Sequence, residues 1–305
     1  VKAELYADSG AYLSVTPWVT WRSTAQCFGP YAVKNIHADI YGVATNNIFN
    51  GAMRGFGAPQ VNFSVEQIMD IAAHTLGIHP LGMRRINMVK QGSETVTGQM
   101  LDTHTVSLEE VMNKVAHEIS FRKKYEKCSF GKSENDDLYG IGLAISYRGS
   151  SLGAEGMDFC SCIINGQFDG SLMLETGIHE NGQGSDSVMM LVLAEELGVN
   201  IERIRYRRSS TSNIPDSGTT VATRGTIMGG SAVVKAAGEF KSLLTKNLAE
   251  RLRCKPEEIT FHDDKIWGLN YAYSLTWEEA MHELFLQQVT PYAFGVYQGP
   301  PVSWD

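Results

Sequence analysis

Three glycine-rich stretches punctuate this sequence, and each stands between an extended run and a helical one. They are "NGAMRGFGAPQ" at 50–60, "GIHENGQGSDS" at 177–187 and "DSGTTVATRGTIMGG" at 216–230. Glycine removes the side chain and opens positive φ, so the backbone there comes close to whatever it faces. A helix starting at such a loop adds unpaired amides, an arrangement that binds anions. The side chains differ between the three. The first stretch holds Arg54 beside Gly55, Phe56 and Gly57. The second sets Gln183, donor and acceptor at once, between Gly182 and Gly184, just before Ser185. The third offers Ser217, Thr219, Thr220, Thr223 and Thr226, with Val221 and Ala222 between them and Arg224 supplying a fork suited to phosphate. None has Walker or GxGxxG spacing. One such turn alone is an ordinary element end. Three in one chain point to a large polar ligand carrying phosphates.

The runs between the loops predict a mixed α+β fold. Lys2–Asp8 and Val33–Val43 alternate as strands, with a short helix over Pro17–Gln26. Helical spacing follows over Val61–Leu76, then from Pro80 to near Gly92. Residues 92–106 read as a connector, and Ser107–Lys127 as a helical pair before the polar "SFGKSENDD". In the second half, Tyr139–Tyr147 reads as a strand. Met157–Ile164 and Ser171–Glu175 flank "NGQFDG" as a hairpin. Val188–Leu197 is helical, Ile204–Arg208 a strand, and Ala232–Leu252 a long helix. Phe261–Trp267 and Val289–Tyr297 are strand candidates around a helix over Thr276–Leu286.

Length and charge narrow the class. A chain of 305 residues is expected to hold two domains. A net charge of −8 argues against nucleic-acid and anionic-membrane partners. No apolar run reaches 18 residues, so no membrane span is expected. Five cysteines (Cys27, Cys128, Cys160, Cys162 and Cys254) show no zinc spacing and read as reduced, in a cytoplasmic protein. Cys160 and Cys162, two apart in a strand-like run, share one face and read as a buried pair. The chain opens on Val1, and "VKAELYADSGAY" already reads as strand and turn. It is expected to be a piece of a longer chain or a processed subunit.

"RGFGAPQ" at 54–60, with the helical region after it, resembles the molybdenum-binding part of the xanthine dehydrogenase and aldehyde oxidase family. "YGIGLAISYRGSSLGAEG" at 139–156, "HENGQG" at 179–184 and "SGTTVATRGTIMGGSAV" at 217–233 resemble further segments of the same family, in its order. The likeness runs over essentially the whole chain. It implies two mixed α+β molybdopterin-binding domains, the first only partly present: 1–95, then a connector with helices over 96–138, then 139–305. The implied ligand is molybdopterin with molybdenum, in plain or cytosine dinucleotide form. Iron–sulfur clusters and FAD are expected on other domains or subunits, along with the remaining parts of the molybdenum subunit.

The resemblance also assigns roles. The backbone of Gly55 and Gly57 lies beside the metal centre, Arg54 fixes that loop, and Phe56 stacks on the substrate. Gly182, Gln183, Gly184 and Ser185 meet the pterin. Thr220, Val221, Ala222, Thr223 and Arg224 line the cofactor and its pyrophosphate path. Arg22, 32 residues before Arg54, falls where purine-hydroxylating members carry a substrate-orienting arginine. By itself it is equally an ordinary helix arginine. Leu143 stands where xanthine enzymes have a second aromatic, which puts xanthine itself in doubt. No side chain here is expected to ligate the metal, which the family binds through pterin sulfurs; His179 is a loop residue only.

The implied reaction is hydroxylation of an aromatic N-heterocycle, purine- or nicotinate-like, with water as the oxygen source and electrons leaving to iron–sulfur and flavin centres. Alternatives are an aldehyde oxidoreductase, a 4-hydroxybenzoyl-CoA reductase-like enzyme, or a non-catalytic cofactor-binding or assembly module. "NGAMRGFG" lacks the cysteine of the carbon monoxide dehydrogenases. The family's general-base glutamate motif is not found in these residues, and Glu155 is not at its position. The segment alone is therefore expected to be inactive.

Overall fold

A computed structural model of the chain describes residues 1–128, 139–149 and 158–299. These fall into two compact units that divide between Arg148 and Gly149. Among the described residues no helix is long and apolar enough to cross a membrane.

The first unit opens with β1 (Lys2–Gly10), α1 (Thr16–Gln26) and β2 (His37–Ala44), and the two strands pair in parallel from Lys2↔His37 onward. Tyr6 and Tyr41 are register partners, and their rings stack at 5.0 Å. Then come α2 (Ala58–Thr75), α3 (Pro80–Asn87), α4 (Leu108–Glu118) and α5 (Phe121–Lys127). Proline in the first turn of α2 and α3 supplies a preset φ where no amide partner is needed. The predicted helix from Pro80 stops at Asn87, short of Gly92. Met88 turns extended and bridges to Tyr31, and the Val89 amide donates to the Pro30 carbonyl at 2.9 Å. Tyr31, Leu81, Met88, Met112, Phe121 and Ile145 make the apolar core.

Charge is buried beside that core. Glu66 and Arg84 are 5% and 0% exposed. Arg84 Nε donates to Glu66 Oε2 at 2.9 Å and Nη1 to Asp70 Oδ1 at 2.7 Å. The Tyr31 hydroxyl and the Ile145 amide also donate to Glu66. This network explains a correction. Residues 139–149 are not in a strand despite their alternation. The Ile145 amide, which a strand would give to a neighbouring ladder, goes to the Glu66 carboxylate instead.

The second unit is built on β3 (Phe159–Gly166) and β4 (Leu172–Thr176), the expected hairpin; Met157 lies outside the described residues. Next are α6 (Ser185–Leu197), β5 (Ile204–Tyr206) and α7 (Gly230–Leu248). A three-stranded antiparallel sheet follows: β6 (Thr260–His262), β7 (Lys265–Gly268) and β8 (Tyr273–Thr276). It leads into α8 (Trp277–Leu286) and β9 (Tyr292–Gln298). The single strand expected over 261–267 is therefore a hairpin. Asp263 and Asp264, with φ of 51° and 59°, form its two-residue turn. The main sheet runs β5-β4-β3-β9. Cys160, Cys162, Ile164, Leu172 and Leu174 belong to one fully buried cluster with Ala232, Ala236, Phe240 and Leu244 of α7. The two cysteines do share one face, and burial pushes both thiols' pKa values up.

Candidate functional site

In the first unit, the 50–57 loop is anchored at both ends. At its start Asp8 works as a staple. Its carboxylate accepts from the Gly10 amide, the Thr45 hydroxyl and the Asn47 amide group at 2.8, 2.6 and 2.6 Å. The Asp8 carbonyl takes the Asn50 side chain at 2.7 Å. At the loop's end Gly57 lies against α1. A Cβ there would stand 2.4 Å from the Val19 carbonyl oxygen, and φ is 102°. Between the anchors Arg54 is exposed and Phe56 half-buried. Phe56 has φ of 57°, between two glycines that are also positive. A bulky residue rarely sits there, and its persistence marks a constraint imposed by surroundings or function. Arg22 is half-buried on α1, next to Ser23, whose hydroxyl also abuts Gly57. Leu143 lines a cleft of about 630 Å³ together with Gly55, Glu66 and Arg148.

In the second unit the other two loops are joined to each other. The His179 amide donates to Thr220 Oγ1 at 2.9 Å, and Ser217 Oγ accepts from the Ser161 amide at 3.0 Å. Ser217 fits only because position 177 is glycine: a Cβ there would lie 2.1 Å from its hydroxyl. Each loop is also held by one charged side chain of its own. Glu180 accepts from the amides of Gly182, Gly184 and Asp186 at 2.6, 3.0 and 3.2 Å, and from the Ser185 hydroxyl. The Gly184 amide, then those of Asp186 and Gly182, hold its pKa down at about 2. Glu180 is the residue that sequence reasoning missed; its signal is a glutamate placed two residues before the first glycine and just ahead of a helix start.

Gln183 is folded back onto its own loop. Its oxygen accepts from the Asn181 amide, and its nitrogen donates to the His179 carbonyl and Ser185 Oγ at 2.9 and 3.1 Å. Ser185 is buried as the first residue of α6.

Arg224 requires a correction. It is 1% exposed, with Nε on Asp158 Oδ1 at 2.7 Å and Nη2 on the Ser217 and Phe159 carbonyls at 2.6 and 3.0 Å. Nη1 donates to the Thr219 carbonyl. A fork committed in this way shapes the loop from inside, in place of the expected contact to phosphate. Val221 and Ala222 are exposed, Ala222 with φ of 48°, and Thr220 is half-buried. Gly225–Gly229, expected as loop, is a π-helical turn continuous with α7, a feature that recurs at functional sites.

These residues fit a large ligand approached by backbone. Gly182 and Gly184 both have positive φ, and nothing lies within 4 Å of where their side chains would start. Asp186 Oδ1, at the end of the same loop, is a buried acceptor with no hydrogen-bond partner among the described residues. A ligand edge rich in N–H donors, as a pterin has, suits both features.

Comparison with known proteins bears on this arrangement. Residues 1–88 and 114–305 each match a family model described as a molybdopterin cofactor-binding domain. The chain is 30% identical over 256 residues to a probable xanthine dehydrogenase subunit of Bacillus subtilis, covering 84% of this chain and 33% of that one. It is 39% identical over 127 residues, 42% of this chain and 30% of the relative, to the nicotinate dehydrogenase large molybdopterin subunit of Eubacterium barkeri. The crystal structure of the aldehyde oxidoreductase from Desulfovibrio desulfuricans matches with a TM-score of 0.73 at 24% identity, over 100% of this chain and 31% of that chain, a likeness of fold. The chain thus spans about a third of the length of these relatives.

Proposed function

This chain belongs to the xanthine dehydrogenase and aldehyde oxidase family of molybdopterin-binding oxidoreductases, and on that premise we propose that its full protein hydroxylates an aromatic N-heterocycle, purine- or nicotinate-like, with water as the oxygen source. The observation that carries this reading is the joined loop pair of the second unit, with its open glycine backbone and orphaned acceptor. The backbone of Gly182–Ser185 and of residues 220–223 would hold the pterin, in plain or cytosine dinucleotide form. The bound cofactor would supply the redox centre.

The chain's own side chains do the rest. Phe56 presents an aromatic face to a flat substrate. Arg22 stabilises charge that develops on the ring. Leu143 leaves more room on the substrate's other side than an aromatic would. Arg54 lies on the same loop as Phe56 and supports its placement. Iron–sulfur and flavin centres on other domains or subunits take the electrons, and the enzyme works in the cytoplasm. The 305 residues alone are inactive for want of the glutamate base motif, and turnover by the isolated, cofactor-loaded chain would count against this.

Steady-state kinetics of the complete enzyme with hypoxanthine, nicotinate and benzaldehyde test the reading. Phe56→Ala should mainly raise KM for the flat substrates, because stacking acts on ground and transition states alike. Arg22→Met should lower kcat and kcat/KM together, by on the order of 100-fold. A preparation that oxidises only the aldehyde, with neither variant affecting a heterocycle, would sink the proposal.

A further inference from the structure

The cleft in the first unit brings together two residues that bear on substrate, Leu143 and Gly55, the latter one peptide from Phe56. Its charged lining is uneven. Glu66 and Asp70 are both bound by Arg84, and Glu66 also takes the Tyr31 hydroxyl and the Ile145 amide. Arg84 is itself fully buried, so the charges of that group offset each other away from solvent. Arg148 is different. It is exposed, it lines the cleft, and its Nη1 donates to the Gly55 carbonyl. That contact fixes the orientation of a planar, permanently charged fork beside the Phe56 loop. Among the residues lining the cleft it is the exposed cation. Around it the wall is apolar at Leu143 and Pro59 and neutral at Gln26, Asn62 and Ser146.

A flat ring with nothing charged on it would need only the apolar wall. We infer that Arg148 selects substrates whose heteroaromatic ring carries a carboxylate, the guanidinium meeting the carboxylate while the ring lies against Leu143. A guanidinium matches a carboxylate in both charge and geometry. This inference rests on the proposal that the substrate is a heterocycle, and it names which kind.

The test compares nicotinate with nicotinamide, a pair that differs in charge and hardly in shape. In the complete enzyme, Arg148→Gln should lower kcat/KM for nicotinate about tenfold or more relative to nicotinamide, the usual scale of a charge-assisted hydrogen bond. Arg148→Lys should recover part of the ratio, since it keeps charge and loses the fork. Calorimetric titration of the two ligands into the same proteins reads the ratio without turnover and should shift likewise. An equal loss for both ligands would make Arg148 a holder of the Gly55 loop only and overturn the inference. An unchanged ratio would overturn it as well. A wild-type enzyme that binds neither pyridine but oxidises benzaldehyde removes the heterocycle proposal itself, a distinct failure that takes this inference with it.

Discussion

The loop of the first unit and the two loops of the second are alike in composition and opposite in construction. The 50–57 loop is held from outside, by Asp8 at one end and by α1 and Arg148 at the other. Its own side chains, Arg54 and Phe56, are left to face outward, and Phe56 keeps an unfavourable φ. The second unit's loops are held from inside, each by one charged residue of its own: Glu180 on amides and Arg224 on carbonyls. A glycine-rich loop can thus serve to display side chains or to offer backbone. What separates the two is where the satisfying partners come from, which glycine content does not reveal.

The strongest way to break this comparison is Arg224→Met in the intact subunit. It leaves the nearly buried Asp158 and three carbonyls without their partner. Loss of one side of a buried pair costs about 3–5 kcal/mol. Urea unfolding measures this, and molybdenum content should fall in parallel. A variant as stable as wild type would show that the loop does not depend on its inner clamp.

A pair of glycine substitutions sharpens the contrast. Gly57→Ala combines a φ of 102° with a clash against the Val19 carbonyl oxygen, and should cost about 3 kcal/mol. Gly182→Ala has φ of 93° but open space around it, and should cost about 1 kcal/mol. Thermal melting of the two variants side by side gives the ranking. Equal losses would mean that the first loop is not pressed against α1 as described.

The smallest effect is expected from Glu180, which is exposed and screened. Its folded-state pKa is lowered from 4.5 to about 2. A depressed acid contributes stability that is full above its unfolded pKa of 4.5 and is lost as pH falls toward about 2. Glu180→Gln should therefore flatten the acid limb of the stability curve in that window and leave its slope near neutrality alone. An acid limb unchanged in the variant would remove Glu180 as the clamp of its loop.

Much of the fold was readable because local and global signals agree. The "NGQFDG" turn between two alternating runs could only close a hairpin, and Pro80 marked a helix start that the structure keeps. The failures share a cause. Residues 139–147 alternate like a strand, but the partner of the Ile145 amide is a carboxylate 79 residues earlier in sequence. Asp263 and Asp264 carried a turn signal, yet seven residues from Phe261 to Trp267 looked too few to hold two strands. Burial of Arg224 has no sequence trace at all. A lone arginine among threonines and glycines looks like a ligand binder, and only tertiary structure reveals the four acceptors around it.

That inner arginine has a consequence for timing. A loop whose charge is answered by its own chain needs no guest to finish folding, so the cradle of the second unit stands complete before any cofactor arrives. Insertion then becomes a docking event onto a finished surface, with little ordering entropy left to lose. Amide exchange in a cofactor-free preparation should accordingly show residues 217–224 as slow as they are in the loaded enzyme.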